Sequence, residues 1–155
     1  MRPTWDEYFM NLALQTAKRS TCPRAFVGAV LVKDKRIIST GYNGSPAGLP
    51  HCTEVGCQMR NLNSGKNQVE HCVRTVHAEQ NAIIQAAIHG ISTKGSILYV
   101  THQPCHLCAK MLVNAGVEKI IYNATYKNED AESVLKDAKI PMNQLEVNND
   151  IESRN

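Results

Sequence analysis

His77-Ala78-Glu79 and Pro104-Cys105-His106-Leu107-Cys108 are the two stretches of this chain whose residue types and spacing could do chemistry. Zinc takes imidazole nitrogen and thiolate sulfur in tetrahedral geometry, and a catalytic zinc keeps three protein ligands and leaves its fourth position to water. His77, Cys105 and Cys108 supply three. Glu79 follows the ligand His77 by two residues, so its carboxylate can lean over the open position without being spent as a ligand. Two thiolates cancel the formal charge of Zn2+ and acidify water less than imidazoles would, so a nearby base is needed. Glu79 fits that role as the group that takes and returns protons during a hydrolysis. Cys-x-x-C alone would fit a structural zinc knot or a redox pair equally well. The upstream His-x-Glu turns the reading towards catalysis, because a purely structural site has no use for a carboxylate beside an open coordination position.

Both motifs need helices to aim them. Cys105 and Cys108 are three apart, hence neighbours on one face, at the start of a helix expected over 105–115 and stopped by Gly116. A helix start favours thiolate there, and Pro104 suits that position. A helix over 77–89 carries Ala78, Ala82, Ile83, Ala86 and Ala87 and ends at Gly90. Short β-rich runs at 97–101 and 119–122 precede and follow the second motif, and 129–138 reads as a last helix. Upstream, Thr4 and Glu7 form a capping-box pair that opens a helix ending near Ser20. The runs 26–32 and 36–40 read as a hairpin around Lys33-Asp34-Lys35. Residues 41–48 are glycine-rich enough to predict a shaped loop, and 49–76 reads as irregular chain. An edge strand at 144–147 and a frayed polar tail at 148–155 complete the expectation. This order predicts an α/β fold with a mixed sheet and helices on both faces.

The 155 residues, 43% of them hydrophobic, are expected to form one domain over 1–155. A formal charge of +3 suits a small anionic ligand and is too modest to imply nucleic acid. There is no apolar run of about 18 residues and the first residues lack a secretory signal's hydrophobic stretch, which predicts a cytoplasmic protein without membrane contact. Six cysteines in such a chain read as metal ligands or reduced thiols. Cys22, Cys52, Cys57 and Cys72 remain after the catalytic pair. Three of them fall in the irregular stretch, and a compact domain rarely keeps so long a loop unless something pins it. A second zinc on these four would do so. His71 is the alternative ligand, and four ordinary buried thiols are the plainer reading.

Over nearly its whole length the chain resembles the deoxycytidylate (dCMP) deaminases, a branch of the cytidine deaminase-like zinc superfamily. The matching segments are Trp5-Asp6-Glu7-Tyr8-Phe9-Met10, Ser20-Thr21-Cys22-Pro23-Arg24, Val27-Gly28-Ala29, Gly41-Tyr42-Asn43-Gly44, His71-Cys72-Val73-Arg74-Thr75-Val76-His77-Ala78-Glu79 and Pro104 to Cys108. The two zinc motifs are those of the zinc nucleobase deaminases. The resemblance implies a three-layer α/β/α fold around a mixed sheet of about five strands. It implies hydrolytic deamination, dCMP + H2O → dUMP + NH3, feeding thymidylate synthesis, and an extra metal beside the catalytic zinc. It places Asn43 on the deoxyribose or base and the Ala78 backbone on the pyrimidine. Arg24 is the candidate for the substrate phosphate, since arginine forms bidentate phosphate contacts, although a surface arginine would look the same. Tyr126 and His71 are expected to close over the substrate, although isolated aromatics such as Tyr122 and Tyr126 are more often core or rim residues.

Members of this kind are often homohexamers activated by dCTP with Mg2+ and inhibited by dTTP. That implies an effector site at Gly41, Asn43 and Gly44, with Lys127 as its cation. Glycines let amides approach phosphate, and a tight hairpin exit would use them too. The rivals are a tRNA adenosine deaminase, which would need a strongly basic face, a free cytidine or guanine deaminase, and a zinc-stabilised binding module without activity.

Overall fold

The computed structural model describes residues 1–61 and 70–147. Helix α1 (Trp5–Ala17) is opened by the expected capping box. The Thr4 hydroxyl accepts from the Glu7 N–H at 3.2 Å, and the Glu7 carboxylate accepts from the Thr4 N–H at 2.7 Å. The helix stops at Ala17, short of Ser20, because the Ser20 hydroxyl and Thr21 N–H both donate to Asn43 O, at 3.0 and 3.3 Å. Strands β1 (Gly28–Lys33) and β2 (Arg36–Tyr42) form the hairpin. Asp34 and Lys35 turn it at φ of 51° and 57°, the positive values that match the strands' twist. Gly41 and Tyr42, expected in a loop, therefore extend β2.

The stretch expected to be irregular holds three short elements: α2 (Cys52–Val55), β3 (Met59–Asn61) and β4 (Glu70–Cys72), the last two paired antiparallel. Then follow α3 (Ala78–Ile88), β5 (Ile97–His102), α4 (His106–Asn114), β6 (Lys119–Ala124), α5 (Glu129–Asp137) and β7 (Met142–Gln144). The edge strand lies two residues earlier than expected, because its parallel register with Ile120–Tyr122 is bracketed by Ile120 N–H to Pro141 O at 2.9 Å and Leu145 N–H to Tyr122 O at 2.8 Å. The expected tail at 148–155 lies outside the described residues.

The main sheet has five strands in the order β2-β1-β5-β6-β7. β1 is antiparallel to both its neighbours, whereas β5, β6 and β7 run parallel. Alternation along the strands feeds two cores. Ala29, Leu31, Leu98, Val100 and Ile120 face one side, where Ala78 and Ala82 of α3, Leu112 of α4 and Leu135 of α5 cover them. Val30, Val32, Tyr99 and Ile121 face the other, against Phe9, Met10 and Ala13 of α1. This is the three-layer α/β/α arrangement. Gly41 lets β2 approach α3 so closely that a Cβ there would meet the backbone of Ala78 and Ala82. None of the described helices is long and apolar enough to cross a membrane.

Candidate active site

α3 and α4 both begin at the carboxyl end of the β5 region, where open α/β sheets present their crevices. His77 is the N-cap of α3 and Cys105 the N-cap of α4, one position outside the helical turns expected for them. The His77 N–H donates to Gln80 Oε1 at 2.9 Å, which fixes the entry angle of α3. His77 Nδ1 then stands 3.5 Å from Cys105 Sγ and 3.4 Å from Cys108 Sγ, and all three donor atoms lie within 4.8 Å of one another. The Cys108 thiol holds Cys105 down to about 3, helped by His77 against the opposing effect of burial. Cys108 is pushed up by the same thiol–thiol bond and by burial. Two adjacent buried thiols cannot both ionise without a cation to share. One imidazole and two thiolates at this spacing are the donor set of a zinc with an open fourth position, so the residues fit Zn2+.

Glu79, in the first turn of α3, is 4% exposed. Burial raises its pKa above the ordinary carboxylate range, opposed by its own backbone N–H and by His77. Burial thus favours the protonated form of a carboxylate placed to take up and return a proton.

The motifs line a cavity of about 290 Å³. Every residue expected to bind substrate lies on it: Arg24, Asn43, His71, Ala78 and Tyr126. Arg24 is exposed, with Nη1 3.1 Å from Met59 Sδ. Asn43 is 6% exposed and already engaged. Its Oδ1 accepts from Val27 N–H and its Nδ2 donates to Ala25 O, both at 2.9 Å. One amide hydrogen and one lone pair remain for a ligand. Ala78 is the first helical residue of α3, so its N–H has no intrahelical acceptor. Tyr126 is 41% exposed at the rim. Cys22, Glu70 and Cys72 also border the cavity.

His102 and Gln103 are among the lining residues that were not expected at the site. They immediately precede Pro104, and their place between a strand and the Cys-x-x-C motif is the signal that could have found them. Gln103 is 4% exposed, donates its side-chain N–H to Glu132 of α5 at 2.9 Å and so ties that helix to the site.

The proposed effector glycines are explained by packing. Gly41 sits in the β1–β2 ladder opposite Ala29. Gly44 exchanges backbone bonds with Val76 at 3.1 and 2.8 Å, so its amide is occupied, and a Cβ there would meet the Thr21 hydroxyl. Lys127 is exposed and is not among the cavity's lining residues.

The remaining thiols form a second group. Cys52, Cys57 and Cys72 lie within 4.8 Å of one another, with Cys52 Sγ 3.8 Å from Cys72 Sγ. Burial works to raise the Cys72 pKa, but hydrogen bonds from the Thr75 hydroxyl and from backbone amides of Arg74, Gln58 and Thr75 bring it down to about 6. Cys57 is raised, by burial first and then by the neighbouring thiols, Cys22 among them. Cys22 is buried and stands outside the tight group of three, as does His71, which pairs with Arg60 across the β3–β4 ribbon.

Known proteins resemble this chain in sequence and in fold. The sequence profile of the cytidine and deoxycytidylate deaminase zinc-binding region matches residues 3–124. ComE operon protein 2 of Bacillus subtilis (strain 168) is 43% identical over 147 residues, 94% of this chain and 74% of that one. The deoxycytidylate deaminase of Saccharomyces cerevisiae is 38% identical across 94% of this chain, which spans 46% of the yeast protein, about half its length. The crystal structure of dCMP deaminase from the cyanophage S-TIM5, in complex with dCMP and dUMP, superposes with a TM-score of 0.76 at 33% identity, covering 94% of this chain and 99% of that one. Since the profile spans most of the chain and contains both ligand motifs, this protein belongs to the cytidine and deoxycytidylate deaminase zinc-binding family.

Proposed function

We propose that this protein deaminates dCMP hydrolytically, dCMP + H2O → dUMP + NH3, and so supplies dUMP for thymidylate synthesis. The observation that carries the reading is Glu79, buried two residues after His77 and bordering the same cavity as the His77–Cys105–Cys108 group. Zn2+ on those three residues supplies Lewis-acid activation of water. Glu79 accepts one proton of the attacking water and delivers it to the ring nitrogen beside the amino-bearing carbon; it then takes the remaining proton from the added hydroxyl, which becomes the carbonyl, and passes it to the departing amine, released as ammonia. The Ala78 N–H and the remaining amide hydrogen of Asn43 orient the nucleoside. Arg24 and His71, at the ribbon end of the cavity, receive the 5'-phosphate, and Tyr126 covers the opening. The names of the yeast relative and of the cyanophage enzyme, the latter in complex with dCMP and dUMP, support dCMP as the substrate.

A second Zn2+ sits on Cys52, Cys57 and Cys72, with Cys22 or His71 as its fourth donor; the three clustered thiols support it. Thiols kept as metal ligands suit the reducing cytoplasm. Assembly as a homohexamer, activation by dCTP with Mg2+ and inhibition by dTTP rest on the family resemblance.

The test is incubation of zinc-loaded protein with dCMP, deoxycytidine and tRNA in parallel, with product separation by chromatography, repeated with dCTP and Mg2+ or with dTTP. Formation of dUMP from dCMP is expected, with deoxycytidine a poorer substrate and inosine absent from tRNA. Conversion of tRNA alone would overturn the assignment.

A further inference from the structure

His102 is a polar side chain of the cavity whose protonation pattern its neighbours determine. The antiparallel ladder of β1 and β5 ends at the pair Ala29–Val100. The next backbone donor, Gly28 N–H, bonds the Thr101 hydroxyl at 3.1 Å instead. Thr101 is 2% exposed, and the one other partner of its Oγ1 among the described residues is His102 Nδ1, at 2.9 Å. A hydroxyl that accepts from Gly28 still has its own hydrogen to place. That hydrogen goes to Nδ1, so Nδ1 is the acceptor and the ring proton resides on Nε2.

Nε2 has no bonding partner among the described residues. It is not sealed off either, because the enclosed, unpartnered side-chain nitrogen among those residues is Arg74 Nε. The ring lines the same cavity as Ala78 and Glu79. Burial lowers the His102 pKa, which keeps the ring neutral. The cavity thus holds a neutral N–H donor of fixed tautomer, while the permanent charge suited to phosphate belongs to Arg24.

We propose that His102 Nε2–H donates a hydrogen bond to a neutral oxygen of the nucleoside part of the substrate, and that Thr101 is the positioning residue that fixes the donating tautomer. The proposal deepens the dCMP deaminase reading and rests on it. Steady-state kinetics with dCMP, using inorganic phosphate as a competing probe, tests it. His102→Leu is expected to raise KM about 10-fold, the tenfold that one lost hydrogen bond of ordinary strength produces. kcat should stay within about twofold, as loss of uniform binding requires, and the inhibition constant of phosphate should not move. His102→Gln, whose amide nitrogen reaches as far as Nε2, should behave as wild type. His102→Asn, whose nitrogen reaches only as far as Nδ1, should behave as the Leu variant. Thr101→Val should raise KM less than His102→Leu does, with zinc content unchanged.

The Gln and Asn pair keeps the test decisive if the Leu variant folds poorly. Equal KM across the variants would overturn the proposal, and so would equal impairment of Gln and Asn. A phosphate inhibition constant that rises with KM would move the contact to the phosphate and overturn it as well. Wild-type turnover separates the two readings. Without dUMP formation the activity itself falls, whereas turnover with a flat KM series removes only the role of His102.

Discussion

Gly41→Ala joins packing to chemistry in one substitution. Gly41 lies in β2, and a Cβ there would run into Ala78 O and Ala82 N of α3. Backbone atoms cannot swing aside as the end of a side chain can, so the helix itself must move. Ala78 and Ala82 are both 0% exposed, and Ser39 Oγ of β2 donates to Ala82 O, so there is little slack to absorb the shift. α3 carries His77 at its cap and Glu79 in its first turn, whereas the thiols belong to α4. Moving α3 therefore changes the His77-to-thiol distances and the aim of the carboxylate together. Overpacking of this kind costs about 1–3 kcal/mol. In a chain of this size that is a fall of roughly 2–12 °C in Tm. A misplacement on the order of 1 Å at the reacting groups costs about 100-fold in turnover. The control is Gly48→Ala, at φ +80° with nothing within 4 Å of the new Cβ. It should cost about 1–2 kcal/mol of backbone strain and leave kcat nearly unchanged. Calorimetry, zinc analysis and initial rates on both variants provide the comparison. A Gly41→Ala protein that melts and turns over like wild type would refute the reasoning, as would an equal loss of kcat in Gly48→Ala.

Asn43→Ala should leave Val27 N–H without its partner and Ala25 O with only the longer contact from the Ser20 hydroxyl, at about 1–3 kcal/mol, and raise KM for dCMP by loosening the segment that carries Arg24; thermal melts and kinetics check both effects. Metal analysis should find two zinc ions per chain, and Cys57→Ser should lose one of them and melt at lower temperature while the catalytic ion stays bound. One zinc per wild-type chain would remove the second site.

Much of this was readable because local chemistry and tertiary role coincide. Thr4 and Glu7 announce α1 whatever packs on it, and Gly90 and Gly116 mark helix ends with φ of 66° and 74°. Glu79 was legible from its offset to His77 alone. The short elements of the Cys52 to Cys72 stretch were not. Strands of three residues carry too little periodicity to be seen, and they lie beside a thiol cluster that only the fold assembles. The early end of α1 depends on Asn43, more than twenty residues away, and no local pattern announces such a bond. That Cys52, Cys57 and Cys72 form the tight group was not legible either, because spacing along the chain gives no distance between atoms. His102 was overlooked because a lone histidine beside a stronger motif gains meaning only once Gly28 and Thr101 are seen to orient it.

The most direct test of the central claim is dUMP formation from dCMP by wild type and by Glu79→Gln, with zinc measured in both. The account predicts turnover by the wild type, and zinc retained with nearly all turnover lost in the variant, since the ligands are untouched and the proton carrier is gone. A zinc-loaded Glu79→Gln protein that still makes dUMP at a rate near wild type would contradict it.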